Sequence, residues 1–122
     1  MTMALWCVLI AGLLPYAAAT IAKARSDFDN ARPRDWLAQQ EGFRKRANAA
    51  QANGFETFPL FAAAVIIAMT IHHASQHKVD LLAMGFVVAR IAYLAFYLAN
   101  LAALRSTAWT IGMACTIAIF VA

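Results

Sequence analysis

The sequence predicts an all-α membrane protein, an antiparallel bundle of four transmembrane helices. Two observations predict it. Hydrophobic residues make up 63% of the 122 residues and charged residues 13%, against roughly 45–50% and 25% in soluble domains. The charges are also segregated. Residues 1–22 and 106–122 carry none, residues 47–71 carry only Glu56, and residues 81–104 carry only Arg90. A bilayer core takes about 20 apolar residues as a helix, so each of these four runs is read as a span. No period-two alternation is present, which argues against a barrel.

The spans are predicted at about 3–24, 43–73, 80–103 and 107–122, within one domain covering residues 1–122. Pro15 falls inside the first span, where neighbouring helices can satisfy the carbonyl it frees. The segment "YAAAT" resembles a cleavage site, but no positive charge precedes Trp6. A signal peptide normally has one there, so the first run is read as a retained span. The connection at 25–42 is the longest polar segment. Arg32 before Pro33 marks a turn, and "PRDWLAQQ" suits a short interfacial helix with Trp36 at headgroup level.

The second span starts near Gly42 and is longer than a bilayer needs, so Arg44, Lys45 and Arg46 project from its end. Asp80 at the start of the third span suits that helix's dipole. "LRS" is read as a tight turn, with Ser106 or Thr107 capping the fourth span. Short connections favour antiparallel neighbours.

Seven of the ten Lys and Arg lie between Lys23 and Arg46. The positive-inside rule then places residues 25–42 in the cytoplasm and both termini outside. The +4 charge is a topology signal and not a nucleic-acid signal, because Asp27, Asp29, Asp35 and Glu41 interrupt the basic loop. Cys7 and Cys115 are too few for a metal or disulfide framework. His72, His73 and His77 have only a loose metal-like spacing and read as solvated loop residues, with no metal expected.

The polar residues inside the spans are the candidates for function. At 100° per residue, Arg46, Ala49, Asn53, Glu56 and Leu60 share one stripe of the second span. Arg90, Tyr93, Tyr97, Asn100 and Leu104 share one of the third. Charges at depth pair, face the bundle interior or mark a functional path. Glu56 and Arg90 are the charged residues well inside their runs, so an ion pair between them is predicted. Two readings of these stripes stand side by side: interhelical polar contacts without chemistry, or a ligand site.

"RANAAQANGFETFPLF" and "ARIAYLAFYLANLAALRS" resemble the MAPEG family, membrane-associated proteins in eicosanoid and glutathione metabolism, and look most like its bacterial branch. The Asn53-x-x-Glu56-x-Phe58-Pro59 core and Arg90-x-x-Tyr93-x-x-x-Tyr97 carry the resemblance. It implies a homotrimer in a bacterial inner membrane, with glutathione bound between subunits near the cytoplasmic side. The implied chemistry is conjugation of glutathione to lipophilic electrophiles, or reduction of lipid hydroperoxides, by thiolate attack.

By the same resemblance Asn53, Glu56, Tyr93 and Tyr97 are glutathione ligands, with Arg90 on the same stripe, and Arg105 is the catalytic cation holding the thiolate. The family's eicosanoid enzymes carry Arg four residues before the Asn. Here that position is Ala49, and Arg46, one turn away, is the candidate substitute. Two alternatives stay open: a non-catalytic membrane protein keeping the fold, and a binder of another anionic lipid or thiol.

Overall fold

The computed structural model describes residues 1–122. Five helices follow in order: α1 (Met3–Lys23), α2 (Pro33–Ala38), α3 (Phe43–Thr70), α4 (Gln76–Leu98) and α5 (Ala102–Phe120). All but α2 are long and apolar enough to cross a membrane. α1 packs on α3 and α4, and α5 packs on α4 and α3. The result is an all-α, four-helix transmembrane bundle, with α2 lying against one end.

The distribution of side chains is that of a protein dissolved in lipid. More than half of the buried hydrophobic residues are alanine, while Trp6, Leu13, Ile66, Val88, Ile91 and Ile117 are exposed. Lipid tails are as apolar as leucine, so helices gain little by hiding large side chains and instead gain by close backbone approach. The α1–α3 seam shows this directly. A Cβ added at Gly54 would lie 2.8 Å from Pro15 Cγ, and one at Gly12 would lie 3.2 Å from Phe58 Cζ. Larger residues fill the centre of the bundle, where Phe61 and Phe86 stack with ring centroids 3.9 Å apart beside the fully buried Val65, Val79 and Ile119. The threonines at 20, 70, 107, 110 and 116 each donate a hydroxyl to the carbonyl four residues earlier, which satisfies that hydroxyl within its own helix.

Helix ends are tied to one another across the bundle. At the end opposite α2, Asp80 Oδ1 accepts from the Ala4 amide at 2.8 Å and from Gln76 Nε2 at 2.7 Å. Asp80 was expected to serve the dipole of its own helix. It lies instead a full turn inside α4, which begins at Gln76, and caps the N-terminus of α1.

At the α2 end the arginines act on helix C-termini, where cations are favoured. Arg44 Nη2 donates to the Ala24 carbonyl at 2.9 Å, and Arg46 Nη2 to the Leu98 carbonyl at 3.1 Å. Trp36 is buried with Leu37 against Ala22 and Ala47, edge-on to Phe28 at 5.0 Å. The Trp36 ring seals the base of α1 and α3.

The α4–α5 turn departs most from expectation. The third and fourth spans were expected at 80–103 and from 107. The observed helices are Gln76–Leu98 and Ala102–Phe120. Asn100 has φ 61, a left-handed conformation that asparagine tolerates. Its amide donates to the Tyr97 carbonyl at 3.1 Å, and that of Leu101 to the Phe96 carbonyl at 2.9 Å. This paired arrangement closes α4. α5 then starts at once, so Leu104, Arg105 and Ser106 are helical and do not form the expected turn. Neither Ser106 nor Thr107 caps α5. Leu101 occupies the cap and supplies no side-chain hydrogen bond.

Candidate functional site

The site lies where the end of α4 meets the start of α5. On α4, Arg90, Tyr93 and Tyr97 recur at helical spacing, and α5 brings Arg105 back over them. The four side chains form a continuous stack. The Arg90 guanidinium carbon lies 4.1 Å from the Tyr93 ring centroid. Tyr93 and Tyr97 meet edge to face at 5.6 Å, and the Arg105 guanidinium carbon lies 4.5 Å from the Tyr97 centroid. A cation over an aromatic face is attracted by the ring quadrupole, by about 0.5–2 kcal/mol depending on desolvation. Arg90 and Tyr93 are buried, and Tyr97 and Arg105 are half-buried.

Tyr93, Tyr97 and Arg105 line a cleft of about 310 Å³ together with Ser106, Trp109 and Thr110. Its electrostatics follow from the turn. Arg105 lies in the first turns of α5, whose amides point outward with no acidic residue and no side-chain cap among them. The positive end of the α5 dipole and a guanidinium thus coincide. The opposing negative end of α4 is muted, because the amides of Asn100 and Leu101 and the Arg46 guanidinium occupy its last carbonyls. The cleft therefore favours an anion.

The other expected ligands stand outside the cleft wall, although the Glu56 carboxylate is within electrostatic reach of Tyr93. Asn53 and Glu56 do not line this cleft. The buried face of α3 is set by Ala47, Ala50, Gly54, Phe61, Ala64, Val65 and Ala68. Asn53 falls at the edge of that face and is half-buried; Glu56 lies roughly 200° from Gly54 and is exposed. The predicted Glu56–Arg90 ion pair is consequently not formed. Both residues sit in apolar runs, but Glu56 points out of the bundle and Arg90 into it. Asn53 Oδ1 is nonetheless buried and has no hydrogen-bond partner, and so is Gln51 Oε1. Arg46 is engaged with Leu98, while its Nε is buried without a partner. Ala49 is half-buried on the same side of α3 as Glu56.

Trp109 and Thr110 were not anticipated. Once Arg105 is placed inside a helix, the i,i+4 rule puts Trp109 beside it and pairs Ser106 with Thr110. The misplaced helix start concealed that relation. His72, His73 and His77 are exposed. Cys7 is buried and Cys115 half-buried, and both are free thiols.

Four apolar spanning helices, an alanine-rich interior and a cationic, tyrosine-lined cleft at one end define an integral membrane protein of the α-helical bundle class. The model of the MAPEG family matches residues 3–122, essentially the whole chain. The chain belongs to the MAPEG family. No curated protein and no solved structure matches it.

Proposed function

We propose that the chain binds glutathione at the α4–α5 end of the bundle and promotes attack of its thiolate on lipophilic electrophiles or hydroperoxides. The observation that carries this reading is the position of Arg105: stacked on Tyr97, at the uncapped N-terminus of α5, in the wall of a cleft. A cation beside a thiol lowers its pKa and favours the nucleophilic form, and Arg105 is assigned that role. The residues present also suit the rest of the tripeptide. Glu56 is an exposed carboxylate without an intramolecular cation, matched to an ammonium. Asn53 Oδ1 is an unpartnered acceptor, matched to a peptide N–H. Bound glutathione would supply the thiol; the chain's own contribution is to hold the anion, orient the peptide and keep water from an apolar co-substrate.

Asn53 and Glu56 lie outside the Arg105 cleft of their own subunit. This supports a homotrimer in which sites are completed between copies. The basic residues between Lys23 and Arg46 support a cytoplasmic position for residues 25–42, in a bacterial inner membrane whose lipids are the source of lipophilic substrate. The position of Ala49 supports a second reading, a binder of another anionic thiol or lipid, because no arginine stands there and Arg46 is committed to α4.

The test is thermal unfolding of the detergent-purified protein with and without millimolar glutathione, together with turnover of a chromogenic electrophile. A ligand at 100 times its Kd stabilises by about 2.7 kcal/mol, which is readily seen as a rise in Tm. Arg105→Ala is expected to remove conjugation while the protein still assembles. No shift and no turnover in the parent protein would sink the glutathione reading; a shift with an anionic lipid alone would favour the second.

A further inference from the structure

Arg90 is the cation buried deepest in the bundle, at 7% exposure, and it makes no hydrogen bond or ion pair within the chain. A guanidinium carries five donors and no acceptor and stays charged in proteins. The guanidinium carbon lies 4.1 Å from the Tyr93 ring centroid, a contact that leaves its in-plane N–H donors without an acceptor. Charges in such surroundings persist only when paired or hydrogen-bonded.

Two small, partly open recesses adjoin Arg90. One, of about 20 Å³, is lined by Arg90, Tyr93 and Thr57 among apolar residues from α1 and α3. The other, of about 10 Å³, is lined by Arg90, Thr57, Thr116 and Trp109. A water molecule needs roughly 10–15 Å³ and two to four polar partners, so the first has room for one water and the second is at the lower limit for one. The threonines complete the hydrogen-bond inventory. Thr57 Oγ1 donates to the Asn53 carbonyl at 3.1 Å, and Thr116 Oγ1 to the Gly112 carbonyl at 3.2 Å. Their hydroxyl protons are used, and their oxygens remain free to accept. A water in either recess can therefore accept from Arg90 and donate to a threonine.

We propose that Arg90 is the centre of an internal hydration site for two water molecules, one bridging it to Thr57 and one to Thr116. The site lies one ring behind the cleft, since Tyr93 lines both the larger recess and the cleft. It allows a guanidinium to reside in the apolar interior with no carboxylate from its own chain.

A double-mutant cycle tests this. Thr116→Val keeps the shape and removes the acceptor. It is expected to lower Tm by about 5 °C in the parent protein, the shift that losing one buried hydrogen bond produces in a chain of this size, and by much less in an Arg90→Met background. Equal losses in both backgrounds would show that Arg90 and Thr116 are uncoupled and would overturn the proposal. Should Arg90→Met fail to assemble, the parent protein decides the matter at a resolution that orders solvent. Two solvent peaks within about 3.2 Å of the guanidinium are expected. Dry recesses, or a carboxylate or phosphate oxygen from a neighbouring subunit or lipid at those positions, would overturn it.

Discussion

Arg46 Nη2 lies 3.1 Å from the carbonyl oxygen of Leu98, so the first turn of α3 is tied to the last turn of α4, directly behind the cleft. A charged donor at a helix C-terminus contributes through both the hydrogen bond and the dipole. Arg46→Ala is expected to lower stability by about 1.5–3 kcal/mol whether or not any ligand is present. Arg46→Lys, a point charge without the guanidinium fork, should recover part of the loss. Thermal unfolding of the three proteins checks this. A variant that loses ligand affinity while unfolding at the parent temperature would instead assign Arg46 to the ligand.

Gly54 and Pro15 hold α1 and α3 together by proximity. A Cβ at position 54 would lie 2.8 Å from Pro15 Cγ, and the ring is too rigid to move aside. Gly54→Ala is expected to cost about 1–3 kcal/mol through overpacking, even though alanine is the better helix former. Pro15→Ala in the same chain should relieve most of that cost. Additive losses in the double variant would show that the clash is not the cause.

Asp80 binds the first turn of α1 through the Ala4 amide. Removing a side-chain cap costs about 0.5–2 kcal/mol. Asp80→Ala is expected to fall in that range, and the effect should be local. Hydrogen exchange at the amides of Ala4 and Leu5 should accelerate, while exchange at the α2 end of the bundle stays unchanged. Uniform acceleration along the chain would contradict a local clasp.

Glu56 and Arg90 look like partners in the sequence and point in opposite directions in the fold. Exchanging their charges, Glu56→Arg with Arg90→Glu, is therefore expected not to rescue the single Arg90→Glu variant. Expression and assembly of the four proteins in detergent check this. Recovery in the double variant would restore the ion pair.

The spans were legible because charge is nearly absent from them, and hydropathy alone locates α1 and α3 to within a few residues. The α4–α5 turn was not legible, because Asn100 sits in an apolar stretch and only its left-handed backbone stops the helix. Hydropathy carries no sign of a φ angle. That error in turn placed Arg105 in a loop and hid Trp109. The Arg90–Tyr93–Tyr97 face was visible from spacing, since all three lie on one helix. The orientation of Glu56 was not: a stripe drawn along α3 does not say which of its edges meets the neighbouring helices. Gly54, Phe61 and Val65 make that choice, through how closely and how fully they pack. Arg46 was read as a ligand from its charge near the site; the sequence does not show that its Nη2 also donates to the Leu98 carbonyl at the end of α4.

The alanines at the centre of the bundle have a consequence for how the native arrangement is selected. An alanine has no rotamer to lose when it is buried, so bringing α1, α3 and α4 together freezes little side-chain motion. It also means that few interlocking side chains enforce one helix register over another along much of their length. Register is left to the places where the surfaces are not smooth: the notch of Gly54 against the Pro15 ring, and the stacked pair Phe61 and Phe86. A chain with those points smoothed would still insert and still be helical, and its helices would slide.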